Sequence, residues 1–296
     1  MLKRSLLAVV ALVAAAGCGA TGGDTGVAQP SATPSGQDAK TRVEAIRADC
    51  MKRKGFKYVP FIRPLKPPTP EETSRYKGDY SAMAKYRQKY GFGVFAQYVY
   101  PKEFKATEGD LQSDPNMKIA RGLSASQYTA YRKAANACFA EAVSKVQHRK
   151  VASEDDYYQQ NNKLAIQRGQ QVLDADPALI ELAQTMAACL KGKGQAVPKV
   201  TPRKLNSNGS DRFMAQEDRL GRRQMDDVPD EAPEPKDEYT IPMIYAPQLT
   251  PTQARPYLNR EIKAAMDDLE CGREFYAAYL PKERAMVSAM ADEIGM

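Results

Sequence analysis

Two cysteine-bearing hexamers, far apart in the chain, constrain the fold more than any other feature. Cys50-Met51-Lys52-Arg53-Lys54-Gly55 and Cys189-Leu190-Lys191-Gly192-Lys193-Gly194 share cysteine, apolar residue, Lys, any residue, Lys, Gly in the same order. A short stretch running to a proline follows each, at Pro60 and at Pro198. A second echo comes later. Leu123-Ser124-Ala125-Ser126-Gln127 matches Leu249-Thr250-Pro251-Thr252-Gln253, and each opens a helical pattern that carries a cysteine, Cys138 or Cys271. The lead from echo to cysteine is seven residues longer in the second case, close to two helical turns, so both cysteines keep one facing. Two echoes in one order and at similar spacing predict a tandem duplication of a helical unit, with halves over 41–175 and 176–296.

The fifth cysteine stands apart from this pattern. Lys3 and Arg4 form a basic start, and Leu6 to Ala16 form an uncharged apolar run. The run is too short to cross a bilayer core, which takes about 20 residues. A short apolar run behind a basic start is the pattern of a signal peptide. Ala15-Ala16-Gly17-Cys18 then places small residues just before a cysteine. This resembles the lipobox of bacterial lipoproteins, with Ala15 where that motif more often has Leu. The resemblance implies that residues 1–17 are removed and that the Cys18 thiol is lipidated. One acyl chain holds a protein to a membrane marginally, whereas two or more hold it stably. Gly19 to Lys40 is rich in Gly, Ser, Thr and Pro, so 18–40 reads as a flexible tether spanning about 25 Å.

With Cys18 set aside, Cys50, Cys138, Cys189 and Cys271 remain. An even count in an exported protein reads as two disulfides. Four cysteines allow three pairings, and a pseudo-twofold repeat is compatible with all of them. A unit that once folded alone would cross-link within itself, which favours Cys50–Cys138 and Cys189–Cys271.

The fold class expected is mainly α, as α+β with short strands. Helix starts are marked by Thr69-Pro70-Glu71-Glu72, Asp114-Pro115, Ser124 to Gln127, Ser153 to Asp156, Asp176-Pro177 and Thr250 to Gln253. A helix is expected from Thr41 to Lys54, one from Pro70 to Tyr90 weakened at Gly78, and one from Ser210 to Met225. Pro281 is expected to break the helix after Cys271 and open a terminal one. Phe56 to Phe61 looks extended, and Phe92 to Tyr100 (FGVFAQYVY) reads as a strand.

Eleven aromatics crowd into Phe56–Tyr100. They read chiefly as core, and secondarily as the lining of a groove for a sugar or peptide. Asp226 to Glu238 is acidic and proline-rich and reads as a solvated loop, since its prolines do not suit a calcium loop. His148 is the single histidine, beside Arg149 and Lys150 at a helix end. No G-x-S-x-G, H-E-x-x-H, C-x-x-C or phosphate-loop motif is present, so no catalytic residue, no metal ligand and no cofactor is assigned. The net charge of +7 loses Lys3 and Arg4 with the signal and becomes +5. That is mildly basic and lacks the dense cationic stripe of a nucleic-acid binder.

The lipobox, the run through Cys50, Gly55, Tyr58 and Pro60, the Tyr90-Gly91-Phe92-Gly93 turn and the Cys138 helix together resemble a group of uncharacterised lipoproteins of high-G+C Gram-positive bacteria. The resemblance implies an extracytoplasmic protein anchored to the outer face of the cytoplasmic membrane through Cys18. It carries no activity. The expected function is non-enzymatic binding or an accessory role in the cell envelope, with an envelope protein or the cell wall as partner. The alternative is a carboxylate-based hydrolase of an envelope polymer.

Overall fold

Local capping chemistry places the helices, and tertiary contacts of a few side chains decide what lies between them. The computed structural model describes residues 36–63, 67–104, 114–234, 237–240 and 243–294. Residues 1–17, Cys18 and most of the expected tether lie outside the described residues.

Helix α1 spans Gly36–Arg53 and so begins within the stretch expected as tether. Ala39, buried like Val43 and Cys50, extends the apolar face back by one turn, and Asp38 complements the dipole of the first turn. Thr69 and Asp79 cap α2 (Pro70–Tyr76) and α3 (Tyr80–Tyr90). The single helix expected over 70–90 is thus two. At Gly78, φ is +80°, and an added Cβ would lie 2.4 Å from the Tyr276 carbonyl oxygen. Short helices α4 (Ala96–Val99), α5 (Pro101–Phe104) and α6 (Pro115–Arg121) follow. Capping boxes at Ser124 and Thr250 open the long helices α7 (Ala125–Gln147) and α11 (Pro251–Cys271). Between these lie α8 (Glu154–Gly169), which widens into a π turn over Gln170–Asp174, then α9 (Pro177–Gly192) and α10 (Pro202–Arg222). Helix α10 starts eight residues before the expected Ser210, behind Thr201 and with Pro202 in its first turn. Helix α12 (Arg273–Ile294) carries Pro281 in its interior instead of breaking there.

Among the described residues there is no strand. The expected strands fail because side chains take the backbone groups that a ladder needs. Asn116 accepts from the Val59 N–H at 2.9 Å and donates to the Val59 carbonyl at 2.8 Å, while Glu44 accepts from the Phe61 N–H at 3.2 Å. In FGVFAQYVY, Glu261 accepts from the N–H groups of Val94 and Phe95 at 2.9 and 2.8 Å, and Ala96–Val99 coils into a helix.

The two disulfides join Cys50 to Cys138 and Cys189 to Cys271, with Cα separations of 5.5 and 5.6 Å. The first lies in the seam between α1 and α7, among Met51, Tyr131, Ala134 and Ala135. The second links α9 to the end of α11, beside a larger core of Leu179, Met186, Leu190, Leu205, Leu269 and Phe275. Each of these fully buried side chains contributes about 1.5–3 kcal/mol of apolar burial. Both hexamers end in the same cap. Gly55 and Gly194 adopt φ of +80° and +74°, and the next N–H returns to Met51 O at 3.0 Å or to Leu190 O at 2.9 Å. A third core packs α4 and Phe95 against Phe213 of α10 and Leu258 of α11. Helices α3 and α4 therefore lie on α11.

Candidate functional site

A cleft of about 500 Å³ opens where α2, α3, α10 and α12 meet. Helix α12 presents Tyr276, Leu280, Glu283, Arg284 and Val287 along one face. Helix α10 adds Asn206 and Ser210, one turn apart. Helix α3 adds Met83, Tyr86 and Arg87, and the last turn of α2 adds Arg75 and Tyr76. Phe92 closes one end. An added Cβ at Gly209 would lie 2.1 Å from its ring, so α10 has glycine there.

The floor is a buried ionic triad. Arg87 Nη1 donates to Asp268 Oδ1 at 2.5 Å and to the Ala265 carbonyl at 3.0 Å, and the Tyr276 hydroxyl donates to the same Asp268 oxygen at 2.5 Å. Burial opposes the Arg87 charge, but Tyr276 and Asp268 outweigh it and hold the guanidinium protonated. The walls differ. Arg75 stacks 3.8 Å above the centroid of the Tyr86 ring. Arg75 and Arg284 both approach Tyr76, at 5.4 and 5.5 Å from its centroid. Neither has an ion-pair partner among the described residues. The carboxylate lining this cleft, Glu283, accepts from Tyr279 at 2.9 Å. Burial, opposed by that hydrogen bond, raises its pKa.

A smaller cleft of about 330 Å³ lies by α1, α7 and α8. There Arg47 sits between the rings of Tyr58 and Phe139, at 5.0 and 5.1 Å, and pairs with Glu44 at 3.3 Å and Glu154 at 2.8 Å. The two glutamates that share this cleft are therefore bound to one guanidinium between them.

Of the eleven crowded aromatics, Phe95 is fully buried and Tyr76 is exposed, while the other nine are half-buried. Phe95 sits in a core, and Phe56, Tyr58, Tyr80, Tyr90, Phe92, Tyr98 and Tyr100 pack against one, so the window is chiefly core; Tyr76, Tyr86 and Phe92 also line the larger cleft. His148 is exposed and caps α7 with φ of +54°. Lys52 and Arg53 are exposed on the last turn of α1 and Lys54 just past it, with Arg53 bonded to Glu141 at 3.1 Å. Asn208 lies inside α10 and donates to the Ala196 carbonyl at 3.1 Å. Of the acidic loop, Asp226, Asp227 and Asp230 are exposed. Among the described residues no group of three or more His, Cys, Asp and Glu is placed to hold a metal ion, and no helix is long and apolar enough to cross a membrane.

Of the residues that build the larger cleft, the sequence marks the aromatics Tyr76, Tyr86 and Phe92 and leaves the charged ones unmarked, although part of their signal is there. Arg87 stands one turn after Met83 on the inward face of α3. Glu261 and Asp268 fall in register with Ala254, Leu258 and Ala265 on the inward face of α11. A charge at an apolar position of a helical repeat marks a buried partner elsewhere. Comparison with protein-family models, with curated proteins and with solved structures finds no match.

Proposed function

We propose that this chain is a non-enzymatic binding or accessory protein of the bacterial cell envelope, tethered outside the cytoplasmic membrane by lipid on Cys18. The observation that carries the binding reading is the larger cleft. It joins aromatic faces to two arginines that have no carboxylate partner among the described residues, while Glu283 on its wall is bonded to Tyr279. Binding sites of this size combine apolar walls with a few oriented polar groups. An acid–base pair for glycoside or polymer hydrolysis needs two carboxyl groups facing across the cleft. Among the described residues that line this cleft, Glu283 is the one carboxylate, and Asp268 beneath it is tied to Arg87. The two-disulfide body suits an oxidising compartment. We further read the halves as descendants of one duplicated unit, which the matching glycine caps and capping boxes support.

The test is photo-crosslinking in intact cells. A photoreactive residue at Val287, exposed on the cleft rim, is expected to capture a partner, and one at the exposed Met243 is not. Failure to capture at Val287, or hydrolysis of an envelope polymer that Glu283→Gln abolishes, would sink the reading. Palmitate labelling that is unchanged in Cys18→Ser would remove the anchor.

A further inference from the structure

We propose that the larger cleft takes a phosphate-bearing amphiphile, with its phosphate between Arg75 and Arg284 and its apolar part on Tyr76, Leu280 and Val287. The proposal rests on the reading of the chain as a binding protein and names the ligand class of that same cleft.

Charge is the first argument. The other half-buried or buried arginines among the described residues donate to a carboxylate or an amide oxygen, as Arg47 does to Glu154 and Arg203 to Asp174, both at 2.8 Å. Arg75 does not. Its guanidinium lies over Tyr86, 3.8 Å from the ring centroid, and hydrogen-bonds to that side chain, which covers it without supplying a carboxylate counter-charge. Arg284 approaches the same Tyr76 ring from α12, so two like charges converge on one aromatic. Such an arrangement is unfavourable until an anion joins it. The floor cation, Arg87, is already neutralised by Asp268 and adds no net demand.

Geometry selects phosphate. A carboxylate offers two oxygens in one plane, which a single guanidinium fork satisfies. A phosphate offers three or more oxygens in a tetrahedron and up to two negative charges, which suits two forks arriving from different helices. Asn206 lies on the α10 wall and brings a side-chain amide that can donate to a further oxygen.

The rim selects an amphiphile. Tyr76 and Val287 are 41% and 53% exposed, and both border the cleft beside the arginines. Free phosphate would leave these surfaces in water. A phosphate carrying an alkyl or acyl chain covers them.

The experiment uses full-length protein carrying Cys18→Ser, so that no lipid anchor contributes. Calorimetric titration with hexyl phosphate is compared with inorganic phosphate and with hexanoate. Hexyl phosphate is expected to bind, and each of the other two at least about tenfold more weakly. Arg75→Gln and Arg284→Gln are each expected to weaken hexyl phosphate about tenfold or more, while Arg132→Gln, exposed on α7 away from the cleft, leaves it unchanged. Arg284 is exposed, so its variant reports on binding even if Arg75→Gln perturbs the fold. Flotation with phosphatidylglycerol vesicles identifies the source. Flotation lost in both variants assigns a lipid headgroup, and no flotation beside tight hexyl phosphate binding assigns a soluble phosphorylated ligand. Hexyl phosphate binding that ignores both arginine substitutions, or that hexanoate matches, overturns the proposal. If Val287 still captures a partner in cells under that result, the binding reading stands and the phosphate assignment falls.

Discussion

Replacing Arg87 with methionine should be among the most damaging single changes in this protein. The substitution leaves the Asp268 carboxylate, whose side chain is 2% exposed, with the Tyr276 hydroxyl but without its cation. Removing one partner of a buried ion pair costs about 3–5 kcal/mol, a large share of the about 5–15 kcal/mol that stabilises an ordinary domain. The same reasoning makes the double variant Arg87→Met/Asp268→Leu milder than the single one. No charge is then left buried, and two apolar side chains take the place of the ion pair. What remains is the Tyr276 hydroxyl, on a side chain 1% exposed, with its acceptor gone. An unsatisfied buried hydroxyl costs about 1–3 kcal/mol. Adding Tyr276→Phe removes that cost, so the triple variant should return close to wild type. The order of stability expected is wild type and triple, then double, then single. Urea unfolding followed by circular dichroism, with the disulfides intact, measures it. A double variant as unstable as Arg87→Met, or an Arg87→Met cost under about 1 kcal/mol, would refute the argument that desolvated charge dominates here.

The two disulfides should differ in access but not in thermodynamic weight. Cys50 and Cys138 are buried while Cys189 is exposed, so a reductant titration followed by peptide mapping should open Cys189–Cys271 first; simultaneous loss would contradict this. Loops of 88 and 82 residues predict nearly equal stabilisation, about 4.5 kcal/mol each in the chain-entropy model, when each pair is replaced by serine and unfolding is measured. Gly221→Ala would place a Cβ 1.8 Å from the Tyr245 carbonyl oxygen and should cost about 1–3 kcal/mol or more, whereas Gly192→Ala meets nothing within 4 Å and should gain about 0.5–1 kcal/mol in the same assay. Glu283 provides a pH test. Burial raises its carboxyl above the ordinary 4.5, so its stabilising contribution is complete below that value and is lost as pH rises through the raised folded-state value. Thermal midpoints of wild type should therefore fall relative to those of Glu283→Gln between mild acid and neutrality; a pH-independent difference would count against it.

Most helix starts were legible because they are local. Thr69 with Glu72, Ser124 with Gln127 and Thr250 with Gln253 each complete a capping box within four residues. The pieces misread are those whose backbone is satisfied from far away. FGVFAQYVY has strand composition, yet the group that takes its N–H donors is Glu261, more than 160 residues on. Phe56 to Phe61 forms neither helix nor strand, and Asn116 and Glu44 take backbone groups that a neighbouring strand would pair. Gly78 looked like a weak point in one helix. It is a turn between two, because the Tyr276 carbonyl passes too close for any Cβ. Pro281 looked like a break, and α12 runs through it. The inward face of α9 leaves out its cysteine. The buried set is Leu179, Ala183, Met186, Ala187 and Leu190, which leaves Cys189 at the helix edge, where it reaches Cys271.

The cleft divides along the same line. Its floor could have been suspected, because Arg87 and Asp268 are charges standing where a helical period asks for apolar residues, and such charges must find each other or be lost to desolvation. Its wall arginines could not. Arg75 and Arg284 sit at positions where an exposed arginine is unremarkable, and their significance is a relation between α2 and α12: two cations brought to one tyrosine, without an acid to answer them among the described residues. Paired charges leave a trace in hydrophobic periodicity because burial demands them. A site poised for an external anion leaves its countercharge out of the chain, so the feature most informative about ligand chemistry is the one that the sequence pattern has no means of recording.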